Sequence, residues 1–207
     1  MTCERIRIAL VSVMVTLLAG CGSSPTASFY TLSAGAAPEG MAPPQATAAY
    51  RVAIGPVTVP EVVDRPQFVV RVGANRVTIA EQQRWAAPLK SEIPRVIAEN
   101  LSQLLGTKQV SAYPQSATSD AEYRVSVDIQ RFDSALGEAV TIDALWAVRR
   151  ASGEPSTGRS LVSEPAGGGG YDALVAAHNR ALARVSRDIA EAIRSADMAQ
   201  PRQGGVK

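Results

Sequence analysis

The sequence predicts one α/β domain, a mostly antiparallel mixed sheet packed with two amphipathic helices, and three observations predict it. Residues 123–132 and 140–148 alternate apolar and polar side chains with the period of two that lays one face of a strand on a core. Residues 91–105 and 172–196 instead repeat apolar side chains every three or four positions, the stripe of a helix with one buried face. A chain of 207 residues, 46% hydrophobic and 19% charged, is long and apolar enough for one core and sits far from disordered composition. Strands apolar on one face pair antiparallel and need one covering layer, which the two helices supply.

Residues 1–20 read as a signal peptide. Arg5 and Arg7 precede an apolar run at residues 8–18. That run is roughly 16 Å of helix against a hydrocarbon core near 30 Å, too short to span. It ends in Leu18-Ala19-Gly20-Cys21, which resembles the lipobox of bacterial lipoproteins. The resemblance implies cleavage before Cys21 and lipid attachment to its sulfur. Cys3 would leave with the signal peptide, so neither a free thiol nor a disulfide would remain after export. Gly22 stands where, by the same resemblance, Asp would retain a lipoprotein in the inner membrane. The expected location is therefore the periplasmic face of the outer membrane, with an anchor made of acyl chains rather than of basic residues.

Residues 21–49, the lipidated N-terminus and tether, are rich in Ala, Pro, Gly, Ser and Thr. Within them Phe29-Tyr30-Thr31-Leu32 is β-prone enough to dock on the domain as a strand. Docking would leave a free tether of about seven residues, at most about 25 Å long. The domain proper, residues 50–196, opens with a strand at 50–59, where Val52 and Ile54 share one side and Pro56 and Pro60 favour an edge or an ending. Residues 68–72 and 76–80 flank Gly73-Ala74-Asn75 and read as a hairpin.

The first helix, over 91–105, places Ile93, Val96, Ile97, Leu101 and Leu104 on one arc and Glu92, Arg95 and Glu99 on the other. Ser91 can cap it, Pro94 falls in its first turn, and Gly106 suits its C-terminal end. Residues 109–113 form a short strand before a polar loop at 114–121. The strands at 123–132 and 140–148 make the main hairpin, and residues 160–163 add a third strand. Gly167 to Gly170 introduce the second helix, where the spacings of Arg184 with Asp188 and Arg187 with Glu191 predict i,i+4 pairs. Residues 197–207 read as a flexible tail.

Chemistry is limited by composition. Net charge is +2, from 21 basic and 19 acidic residues, and no concentrated basic stretch supplies a nucleic-acid footprint. One His and two Cys do not furnish a zinc site or a triad, so no metal, cofactor or catalytic residue is expected. His178 sits mid-stripe in the second helix, the place of a core or interface histidine. The glycine run lacks the Lys of a P-loop and the spacing of a dinucleotide fingerprint. An envelope hydrolase is an alternative that would require His178, or Asp128 with Asp143, to converge in a polar pocket. A lipid-binding or outer-membrane assembly chaperone is another and would require an apolar cavity. Trp146 lies in the apolar register of its strand and is expected in the core. Trp85 lies in a connection and is a candidate exposed anchor for a partner. With Arg65, Pro66, Arg71, Asn75 and Arg76 close by in sequence, it makes the hairpin of residues 61–80 the candidate binding surface.

Several segments, in order, resemble the PqiC-like auxiliary lipoprotein family of ABC-type and MCE lipid transport systems. They are Phe29-Tyr30-Thr31-Leu32, Ile54-Gly55-Pro56-Val57, Asp64-Arg65-Pro66-Gln67, Arg84-Trp85 with Pro88-Leu89, Asn100-Leu101, Tyr123-Arg124-Val125, Arg131-Phe132-Asp133 and residues 171–177. The resemblance covers nearly the whole chain after Cys21 and embraces both the paraquat-inducible and the toluene-tolerance branches. It implies a non-enzymatic periplasmic subunit that docks an MCE-domain protein of the transporter to the outer membrane. It also implies self-association into a ring around that partner's tip, and it brings no catalytic residues.

Overall fold

The computed structural model describes residues 26–35, 51–112, 120–150 and 154–199. Cys21, residues 1–20 and most of the tether and tail lie outside them. The strands are β1 (Ser28–Tyr30), β2 (Val52–Thr58), β3 (Gln67–Gly73), β4 (Arg76–Trp85), β5 (Val110–Ala112), β6 (Tyr123–Ser134), β7 (Ala139–Arg150) and β8 (Ser156–Pro165). The helices are α1 (Leu89–Leu105) and α2 (Tyr171–Met198).

Two mixed sheets result, one ordered β5-β2-β6-β7-β8 and a smaller one ordered β1-β4-β3. In the larger, β2 runs parallel to both β5 and β6, while β6, β7 and β8 form an antiparallel meander. Pro56 sits where the β2–β6 register shifts between Ile54 and Val57, a position that needs no ladder donor. Pairing of Val125 with Val148, Val127 with Trp146 and Ile129 with Ala144 puts the expected apolar set on one face. Both helices cover that face, and Ile93, Ile97, Leu101, Leu174, Leu182, Val185 and Ile189 complete the core. At the margin Trp146 is half-buried and lies across Gly158 of β8. A Cβ there would stand 2.2 Å from the indole, so only glycine fits. The indole N–H donates to Ser160 Oγ, and Ser160 donates to Asp188 on α2.

The structure corrects several local expectations. Helix α1 starts two residues early, with Pro88 at its cap, and the Ser91 N–H bonds to the Pro88 carbonyl. Ser91 therefore lies inside the helix and Pro94 beyond its first turn. Glu92, expected on the solvent side, is buried beneath the N-terminal segment. On α2, Arg184 turns to Glu164 of β8 instead of Asp188, and Asp188 is taken by Ser160. A neighbouring element competes successfully with an i,i+4 pair worth only a few tenths of a kcal/mol. Helix α2 also runs through Met198, into the stretch read as tail.

The largest correction concerns Trp85. Strand β4 does not end near Ala80 but bulges and continues to Trp85, where it pairs with β1. Trp85 is only 5% exposed and stacks on Phe68 at a centroid distance of 4.0 Å. It is a core residue and not an exposed anchor. Trp85→Ala should cost about 3–5 kcal/mol of stability. Arg76→Ala, at an exposed turn position, should stay within about 0.5 kcal/mol. Urea unfolding of the two variants checks the contrast.

Candidate functional site

The segment that follows β1 is a strap across both helices. Tyr30 O accepts the Ala86 N–H at 2.8 Å, and Leu32 then inserts into the core. Backbone outside a sheet must find other partners once buried, and here side chains supply them. The Leu32 N–H donates to Glu92 Oε2 at 3.2 Å, and Arg95 Nη2 donates to Leu32 O at 2.6 Å. Glu92 and Arg95 pair with each other at 2.9 Å, which raises the guanidinium pKa above its ordinary value. Further on, Ser33 N–H donates to Asn179 Oδ1 and Gly35 N–H to Asn100 Oδ1, both at 3.0 Å. Asn100 in turn donates to the buried Ser186. Sequence reasoning found the strand but missed this clasp. Asn100 was visible only as part of a resemblance, without a role.

The hairpin β3–β4 has two faces. Toward α2, Val70, Val72 and Thr78 line one side of a groove of about 600 Å3, with Leu136 and Glu138 of the β6–β7 turn and Tyr171 opposite. Val72 and Leu136 are exposed in it. Nothing local in the sequence signals this groove, because its walls come from segments far apart in the chain.

The residues expected to bind a partner fall into separate places. Asn75 and Arg76 are exposed at the hairpin turn. Arg65 and Pro66 are exposed at the opposite end of β3, about 20 Å away at 3.3 Å per residue. Arg71 is a clamp: it pairs with Asp133 of β6 at 2.9 Å and donates to Ala74 O at 2.9 Å. Trp85 lies beneath the sheet, and Cys21 lies outside the described residues.

The titratable groups do not converge. His178 has no solvent exposure; its ring stacks on Phe132 at 4.0 Å and Nε2 shares a 2.8 Å hydrogen bond with Ser134 Oγ. Burial lowers its pKa to about 3, so the imidazole is neutral. Asp128 and Asp143 lie on the other face of the large sheet. Asp128 accepts from Thr58 and Gln130. Asp143 is buried, and Arg159 binds it through two nitrogens at 2.8 and 2.6 Å. That hydrogen bonding holds its carboxyl below the usual range. Among the described residues no group of three or more His, Cys, Asp or Glu is placed to hold a metal ion, and no helix is long and apolar enough to cross a membrane.

A family model for the ABC-type transport auxiliary lipoprotein component matches residues 30–190, from the strap into α2. The chain belongs to this family. Two solved structures share the fold. One is the crystal structure of an uncharacterized protein, with 22% identity, a TM-score of 0.67, and coverage of 82% of this chain and 99% of that one. The other is protein XCC0632 from Xanthomonas campestris, with 18% identity, a TM-score of 0.62, and coverage of 79% and 93%. Comparison with curated proteins finds no match.

The buried histidine gives this auxiliary lipoprotein a defined pH response. Folded, His178 titrates near 3; unfolded, near its ordinary 6.5. Between those values the unfolded chain holds the extra proton, so stability falls as pH drops through this window. One such group contributes at most about 1.4 kcal/mol per pH unit. Replacing both hydrogen-bonded partners, as Ser134→Ala with His178→Leu, should flatten the profile between about pH 6.5 and pH 4.5, above the range of ordinary carboxylates. Thermal melts across that range measure it.

Proposed function

We propose that this auxiliary lipoprotein is the outer-membrane-anchored periplasmic subunit of an MCE/ABC-type intermembrane lipid transport system. It docks the transporter's periplasmic MCE-domain component to the outer membrane and performs no catalysis itself. The observation that carries the reading is the strap. Strand β1 is paired to β4 and Leu32 is locked by Glu92 and Arg95, so the domain begins about seven residues after Cys21. With acyl chains on Cys21 the domain stays within about 25 Å of the bilayer. A segment held this firmly acts as a short mooring and not as a long tether.

Support for a non-enzymatic role comes from His178, neutral and sealed behind Phe132 and Trp85, and from the separate pairing of Asp128 and Asp143. The groove beside the β3–β4 hairpin, with Val72 and Leu136 at its lips and Asn75 and Arg76 at its end, is the proposed contact for the transporter component. Apolar side chains ringed by polar ones are the usual make-up of such a contact. Self-association into a ring, which the family resemblance implies, would set several grooves around one partner.

Cys21→Ala should leave a folded protein that moves from the membrane to the soluble periplasmic fraction. Unchanged fractionation would reject the anchor. Leu136→Asp with Arg76→Glu should reduce co-purification of the MCE-domain component at least tenfold with the melting temperature preserved. Undiminished recovery would reject the groove.

A further inference from the structure

The other face of the same hairpin carries a second surface. Residues paired across a sheet point the same way. Tyr30, Phe68 and Trp85 point to the core, and the alternate rows of the small sheet point to the opposite face. Along β3 that face is covered, since Val69 is buried and Arg71 pairs with Asp133 of β6, and along β1 and β4 it is exposed. Those rows place Phe29 beside Arg84, then Ile79 beside Val69, then Val77 beside Arg71. Phe29 is 64% exposed, and Ile79 and Val77 are exposed as well. Ile79 and Val77 stand two strand positions apart on β4, and Phe29 stands on β1 beyond the bulge that separates Ile79 from Arg84. Among the described residues the Arg84 side chain bonds only to the Glu81 carbonyl, so its charge has no carboxylate partner.

What covers this face follows from where the chain comes from. Strand β1, which presents Phe29, begins seven residues after Cys21, a length of chain that reaches at most about 25 Å. We propose that this face of the three-stranded sheet lies on the lipid bilayer, with Phe29, Ile79 and Val77 in the headgroup region and Arg84 against lipid phosphates. The proposal rests on the acyl-anchor reading for its geometry. The acyl chains hold the domain near the membrane, and a second contact through this face fixes which way the domain is turned toward it. A basic side chain near an anionic surface strengthens binding about fivefold and is screened by salt. With the outward face on lipid, the groove on the opposite side of the hairpin stays free for the transporter component.

The test uses the mature chain with Cys21→Ser, which carries no acyl group, and vesicles of phosphatidylethanolamine with phosphatidylglycerol. The chain should co-sediment with them. Ile79→Asp should reduce binding about tenfold, and Phe29→Asp likewise. Arg84→Gln should reduce it about fivefold and weaken its salt dependence. Leu136→Asp, in the groove, should leave it unchanged. Melting curves confirm that the Ile79 variant is folded. Absence of vesicle binding, or binding indifferent to Ile79→Asp and Arg84→Gln, overturns the proposal. So does an Ile79→Asp variant that splits an oligomer in sedimentation velocity while vesicle binding persists, which would assign the face to a second copy. Because the protein in this assay carries no acyl group, its failure is distinct from failure of the anchor, which cellular fractionation of Cys21→Ala reports.

Discussion

The stack of Trp85 on Phe68 is the joint on which the rest of the molecule depends. Its 4.0 Å separation welds β4 to β3, and further rings extend it in both directions. Tyr30 of β1 and Tyr171 of α2 meet Phe68 edge-on at 5.4 Å, while Phe132 of β6 and His178 of α2 meet Trp85 edge-on. Six rings from five elements thereby tie the small sheet to the large sheet and to the second helix. Aromatic pairs of this kind contribute about 0.5–1.5 kcal/mol each beyond the area they bury. They also fix orientation, since an edge-on ring tolerates little rotation. The direction in which the hairpin projects, and so the separation of its two faces, is a consequence of this cluster.

The strap depends on the same joint. Tyr30 is held by the rings, and the residues after it are then in register with Glu92, Arg95, Asn100 and Asn179. Glu92 and Asn100 are buried on α1, and each accepts a backbone N–H of the strap. The strap satisfies them and is satisfied in return, which is the condition under which buried polar groups stabilise a fold. An N-terminal segment that composition alone marks as linker is thereby part of the domain, whose first strand begins seven residues after Cys21.

On the proposed reading of this auxiliary lipoprotein, the arrangement turns an acyl anchor into a defined orientation. One face of the hairpin looks out beside the strand nearest the anchor, and the other opens on a groove walled by Leu136 and Tyr171. The groups that might have done chemistry are occupied in holding structure. His178 fills the centre of the ring cluster, Asp143 is bound by Arg159, and Asp133 receives both Arg71 and Arg131. These pairs brace the frame from which the two faces of the hairpin project.

The local features were legible in the sequence because they arise from neighbours. Alternation at Tyr123 to Phe132 and the stripe on α2 depend only on which residues sit two, three or four apart. The turn at Ala74-Asn75 and the left-handed Gly106 at the end of α1 are equally local. Trp85 was misread because its burial depends on Phe68 and on a strand from beyond the domain's expected boundary. The same holds for Glu92, whose partner Leu32 lies 60 residues away, and for Arg71, whose partner Asp133 lies 62 away. By itself the sequence determined the class of fold, the two helices, the central meander and the likeness to a lipoprotein family, because periodicity and motif spacing survive without a third dimension. Only the tertiary structure decided which aromatic ring is core and which is surface, and which cation is a clamp and which is free. Those properties belong to pairs of residues brought together by chain closure, and no single stretch of sequence contains both members.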